Sequence, residues 1–138
     1  MDEVFPGLYV GTVADAGDQD LLRRHGVDKV VSLTFDSPES GFPGSVSVEC
    51  FEMMDGPRND REVFESAVEK VVELLENGET VLVHCSKGAS RSPSVAAASV
   101  AVYEGLSIEE AFERVANGRS AVDPHEVLVR RAVGFVRD

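Results

Sequence analysis

The 138-residue chain has little of what a membrane, secreted or nucleic-acid-binding protein needs. No apolar run approaches the ~18 residues of a membrane-spanning helix. The opening Met1-Asp-Glu-Val-Phe-Pro6 has neither a basic nor an apolar leader region, so secretion is not expected. Two cysteines, Cys50 and Cys85, are too few for a disulfide framework, and a reducing, cytoplasmic setting is the expectation. Cys50 falls in an alternating run and reads as an inert core thiol. Lysine is scarce: Lys29, Lys70 and Lys87 stand among 13 basic residues against 25 acidic ones. A net charge of −12 works against nucleic acid and anionic membranes as partners. Internal repeats, low-complexity tracts and long linkers are all missing. Residues 1–138, 43% apolar, are therefore expected to form a single domain with its own core.

What is present alternates between strand and helix signals. Gly7 to Gly11 reads as a short strand, Asp15 to His25 as a helix closed by Gly26, and Lys29 to Leu33 as a mostly buried strand. Thr34 to Ser45, with two prolines and two glycines, is a loop. Val46 to Phe51 alternates as a half-buried strand, with Val46, Val48 and Cys50 on one face. A polar loop through Asp55-Gly-Pro57 follows, and Asp60 suits the N-cap of a helix from Arg61 to about Asn77. Thr80 to His84 is a further strand, and Ser92 to Glu104 a helix with Pro93 at its first position. Ser107-Ile-Glu-Glu110 is a capping box, and Asp123-Pro124 opens the last helix. The fold class is α/β: a central, mostly parallel sheet flanked by helices, with a helical C-terminal part.

The stretch that could carry chemistry is His84-Cys-Ser-Lys-Gly-Ala-Ser-Arg-Ser-Pro93, between that strand and helix. A polar loop joining a buried strand to a helix N-terminus gathers N–H groups and the positive end of the helix dipole on one point. The thiolate is the nucleophilic form of cysteine, and such a cradle beside Arg91 favours it at Cys85. Ser92 can donate to the sulfur, His84 can fix the loop through its ring, and Arg91 offers a planar fork for two phosphoryl oxygens. Ser86, Lys87, Gly88, Ala89, Ser90 and Arg91 are the candidate phosphate-binding residues. Taken singly, a Cys after a strand is usually packing, an Arg usually a surface residue and a Ser-Pro usually a helix start. The five-residue gap between Cys85 and Arg91, placed between strand and helix, sets the combination apart. A Walker-type loop is excluded because no Gly-Lys-Ser/Thr stands at the right gap, and ligand spacing for zinc is missing.

This segment resembles the His-Cys-x5-Arg-Ser signature of the cysteine-dependent protein phosphatases, and with Gly88 and Ser-Arg-Ser-Pro most resembles the dual-specificity subfamily. Phe5 to Gly11 and Gly26 to Leu33 are similar to that subfamily's opening strands. The resemblance implies a cysteine-phosphatase-like fold and a two-step reaction through a phosphocysteine, with Cys85 as nucleophile, Arg91 as phosphate clamp and no metal or other cofactor. It also implies a general acid, an aspartate ahead of the helix that precedes the catalytic strand. Asp55 and Asp60 both occupy that stretch. Asp60 is better explained as the N-cap, so Asp55 is preferred, with Asp36 a distant third.

Rival functions are a catalytically weak phosphate-binding module, a phosphatase of phosphoinositides or RNA ends, and a sulfurtransferase. A silent module would have lost the cysteine, the arginine or the acid. Phosphoinositide and RNA-end enzymes generally add basic residues, whereas only Lys87 joins Arg91 in this loop. Sulfurtransferase loops are usually shorter and lack the aspartate loop. A phosphorylated protein is thus the expected partner, with phosphotyrosine and phosphoserine or phosphothreonine both admitted by small Ala89 and by Phe35 and Phe42 as the only aromatic walls nearby. The oligomeric state is not readable, and a monomer is expected. Acidity spread over helix faces with few lysines further suggests a halophilic source. The midpoint of denaturant unfolding should then hold or rise in molar KCl, and a fall there removes the suggestion.

Overall fold

In the computed structural model of the protein, the described residues are 1–137, and they build a five-stranded mixed sheet with helices on both faces. In chain order they are β1 (Asp2–Phe5), β2 (Leu8–Gly11), α1 (Val13–Ala16), α2 (Gln19–Arg24), β3 (Lys29–Ser32), β4 (Ser47–Cys50), α3 (Arg61–Glu76), β5 (Val81–His84), α4 (Arg91–Glu104), α5 (Ile108–Gly118) and α6 (Glu126–Arg137). The strand order is β1-β2-β5-β3-β4, parallel except for antiparallel β1. β5 is the central strand. Its four residues are all buried, as a continuous apolar run between two parallel neighbours requires.

The pleat sorts the core in two. Leu8, Val10, Val31, Val81 and Val83 face the larger cluster with α3, α4, α5 and α6, while Val30 and Leu82 face the smaller one with Ala16 of α1 and Leu22 of α2. α3 starts where Asp60 accepts the N–H groups of Glu62 and Val63, and buries Phe64, Ala67, Val68, Val71, Leu74 and Leu75 along one stripe. Each such large side chain contributes roughly 1.5–3 kcal/mol through removal from water. α4 lies against α3, α5 and α6, so every residue from Ser92 to Ala101 is buried. Small side chains there allow close approach from all sides. The helix whose N-terminus faces the cysteine loop is therefore the most enclosed helix of the fold.

Several boundaries differ from the sequence expectation. The helix expected over Asp15 to His25 is two: Thr12 and Asp15 form a capping box, Gly17 ends α1, and Asp18 caps α2 through Leu21 N–H. Gly17 sits where an added Cβ would lie 2.6 Å from the Pro38 Cβ, so the break lets the β3–β4 loop pack close. β1 is an additional strand beyond the sequence expectation. It folds back on β2 through Pro6-Gly7, with Gly7 at φ 83. α4 begins at Arg91, which makes Pro93 its third residue, still in the turn whose N–H groups lack intrahelical partners. Cys50 is not a core thiol: it is exposed, because β4 is the edge strand and the alternation of Val46 and Val48 ends before it.

Candidate active site

At the carboxyl end of β5 the chain turns through Cys85 to Ser90 and enters α4. The turn is held from β2 and α1, where Cys85 N–H donates to Gly11 O at 3.4 Å and Val13 N–H to Ser86 O at 3.3 Å. Asp55, Cys85, Ser86, Lys87, Ala89, Ser90, Arg91 and Asp123 line a cleft of about 240 Å³ at this point. No aromatic side chain is among these lining residues. Phe42 packs instead beneath the site against the His84 ring, centroids 6.0 Å apart, and Phe35 is exposed.

Cys85 is 2% exposed and lines the cleft. Ser92 Oγ lies 3.1 Å from Cys85 Sγ, and the Ser92 N–H donates to it at 3.5 Å. That N–H belongs to the first turn of α4, so the positive end of the helix is directed at the sulfur. Arg91 is fixed from both sides: Nη1 donates to Met53 O and Nη2 to Ser86 Oγ, each at 3.1 Å. The first of these bonds ties the guanidinium to the segment that carries Asp55. Asp55 Oδ1 in turn accepts the Ser90 hydroxyl at 2.6 Å. Asp60 is spent on its cap, and Asp36 lies away from the cleft, lining a separate groove with Asp18 and Pro38.

His84 is fully buried, with Nδ1 3.3 Å from Cys85 O. Burial pushes its pKa below the ordinary value of 6.5, and the Arg91 charge adds to this against the opposing pull of the Cys85 carbonyl. The neutral ring then has Nδ1 available as the donor to that carbonyl. Gly88 lies behind the cleft rather than on its wall. Its φ is 67, and an added Cβ would come within 2.6 Å of Arg119 Nη2 and 2.8 Å of Gly11 O.

Two residues at the site carried no legible signal. Asp123 lines the cleft because α6 starts only at Glu126 and Asp123 N–H is bound to Ala89 O at 2.7 Å. Arg119 is 8% exposed and lies behind the loop. Its Nε donates to Gly88 O at 2.8 Å, Nη2 to Lys87 O at 3.1 Å, and Nη1 to Val10 O at 3.4 Å and Asp2 Oδ2 at 2.8 Å. Nothing in the sequence near Arg119 points 31 residues back to Gly88.

This arrangement has close counterparts. The family model for the dual specificity phosphatase catalytic domain matches residues 8–135. The chain is 32% identical over 138 residues to human dual specificity protein phosphatase 22, covering 99% of this chain and 70% of that protein. It is 31% identical over 134 residues to chicken (Gallus gallus) dual specificity protein phosphatase 4, covering 96% of this chain and 36% of that protein. The chain thus spans about a third of the length of phosphatase 4. The crystal structure of human DUSP28 superposes with a TM-score of 0.89 at 26% identity, covering 99% of this chain and 96% of that one.

Arg119→Met leaves buried loop carbonyls without donors and should lower unfolding free energy by about 2–4 kcal/mol in urea. A loss under ~0.5 kcal/mol, the size of an ordinary surface change, would contradict the bracing described. His84 makes a second prediction. Because its folded pKa is depressed, its contribution to stability is complete above 6.5 and is lost as pH falls through the window below that value. Thermal midpoints should drop over that window, and His84→Gln should flatten the drop. An unchanged slope in the variant would show that the burial of His84 is not its source.

Proposed function

The chain belongs to the dual specificity phosphatase family as a hydrolase catalytic domain, and on that premise we propose that it cleaves phosphomonoesters of phosphoproteins through a phosphocysteine on Cys85. The observation that carries this is the meeting of Cys85, Arg91 and Asp55 in one cleft at the positive end of α4. In the first step the Cys85 thiolate attacks phosphorus in line and the bond from phosphorus to the substrate oxygen breaks. Asp55 gives that oxygen its proton. In the second step water attacks the phosphocysteine, its proton passes to Asp55, and the phosphorus–sulfur bond releases the thiolate. Ser92 Oγ donates to the departing sulfur. Arg91 and the backbone N–H groups from Ser86 to Ser90 hold the equatorial oxygens through both steps, charge stabilisation already in place before the reaction starts.

The cleft favours a protein substrate of either hydroxyl type. Lys87 and Arg91 are the basic side chains lining it, and the carboxylates Asp55 and Asp123 line it with them, a poor match for a multiply phosphorylated headgroup or an RNA end. Without aromatic walls, nothing in the cleft selects the flat ring of phosphotyrosine over shorter phosphoserine and phosphothreonine. Vanadate-sensitive, EDTA-insensitive hydrolysis of an aryl phosphate should be abolished in Cys85→Ser. Asp55→Asn should lose roughly 10²–10⁴-fold on a poor leaving group and far less on a good one. Turnover of the poor leaving group within a few fold of the unaltered enzyme would remove Asp55 as the acid. A phosphopeptide panel decides the substrate, and release of phosphate from phosphotyrosine alone would refute the broader specificity.

A further inference from the structure

One side chain in the cleft is not used by the two-step cycle as the family motif describes it. Ser90 is the N-cap of α4, and a serine there ordinarily turns its Oγ back onto the first N–H groups of its own helix. Ser90 makes no such bond. Its Oγ instead accepts the His125 N–H at 2.8 Å and lies 2.6 Å from Asp55 Oδ1. The residue is 7% exposed, so water does not compete freely for either contact.

A hydroxyl has a single hydrogen. With the His125 N–H directed at the oxygen, that hydrogen is left for Asp55 Oδ1, and 2.6 Å is at the short end of the O–H···O range. An oxygen already receiving a short hydrogen bond along this line is a poor place for a proton of its own. We propose that Ser90 is a positioning residue for proton transfer, pinning Asp55 Oδ1 so that Oδ2 alone carries the acidic proton and faces the substrate oxygen. The proposal rests on Asp55 being the proton donor. In the first step the Oδ2–H bond breaks as the leaving oxygen gains the proton, and the charge left on the carboxylate is shared with Oδ1 under the Ser90 hydroxyl. In the second step water returns a proton to Oδ2. Diverting the Ser90 hydroxyl from capping has a further effect, since the first-turn N–H of Ser92 is then directed at Cys85 Sγ. His125, in the segment before α6, acts through its backbone N–H and so sets the orientation of the acid from a third part of the chain.

The test compares a good and a poor leaving group, 4-nitrophenyl phosphate and phenyl phosphate, with vanadate inhibition as the measure of an intact phosphate loop. Ser90→Ala should lower kcat/KM on phenyl phosphate roughly ten- to hundredfold more than on 4-nitrophenyl phosphate, with the selective loss exceeding any change in vanadate inhibition. In an Asp55→Asn background, Ser90→Ala should add no further selectivity between the two substrates. Equal losses on both substrates together with weakened vanadate inhibition would mean that Ser90 only supports the loop, and overturn the proposal. Unchanged kinetics would overturn it as well. Ser90→Thr keeps the hydroxyl and should keep the unaltered ratio, so a ratio matching Ser90→Ala counts against it. Should Ser90→Ala not fold, Ser90→Gly, also tolerated at an N-cap, carries the same comparison. A leaving-group-dependent Asp55→Asn beside an indifferent Ser90→Ala removes this proposal alone. A leaving-group-independent Asp55→Asn removes the assignment of the acid, and this proposal with it.

Discussion

A loop that turns its N–H groups toward an anion must turn its carbonyls the other way, into the protein. That constraint governs the site. The carbonyls of Lys87 and Gly88 end up in a buried space where an unpaired oxygen would cost about 1–3 kcal/mol. Arg119 receives both, and the same guanidinium reaches Val10 O and the Asp2 carboxylate. Gly88 is the residue that makes the approach possible, since an added Cβ would stand within 2.6 Å of that guanidinium. The front of the loop is thus shaped from behind. β1 enters the same account through Asp2, although it lies at the far edge of the sheet from β4.

The second dependence is between loops. Arg91 reaches Met53 O, Ser90 reaches Asp55, His125 N–H reaches Ser90, and Asp123 N–H reaches Ala89 O. Three segments far apart in sequence are joined by hydrogen bonds, each with at least one backbone or part-buried partner. Backbone bonds fix position more firmly than contacts between long side chains, which lose rotamer freedom on pairing. Asp55 itself is exposed and followed by Gly56 at φ 115, so its segment needs these anchors to present a carboxylate at a defined place.

This division explains what the sequence could show. The cysteine loop, its strand and its helix are contiguous, and their signals are local: a short apolar run, a fixed spacing and a Ser-Pro. The helix cap at Asp60 is local too, and that signal separates it from Asp55 in the sequence alone. Arg119 and Asp123 act across long separations, and a lone arginine or aspartate carries no mark of its partner. β1 is partly legible in hindsight, because Pro6-Gly7 between two short apolar runs is a turn signal. Cys50 was misplaced for a different reason. Alternation reports which side of a strand faces the core, but not whether the strand lies at an edge, where the pattern can lapse.

The charge distribution adds a last step. An excess of 12 negative charges opposes the approach of the proposed phosphorylated substrate, yet salt screens that repulsion beyond about 8–10 Å. Inside the cleft the balance is set by groups in direct contact: Arg91, Lys87 and the N–H groups at the start of α4. Arg91 is fixed by its bonds to Met53 O and Ser86 Oγ, and the N–H dipoles cannot be lost by titration in the working pH range. Asp55 and Asp123 line the same cleft, with Asp55 Oδ1 occupied by the Ser90 hydroxyl and the Asp123 backbone tied to Ala89 O, so the positions of both residues are set by the loop itself. In the proposed reaction, recognition is then a matter of orientation at close range rather than of net attraction.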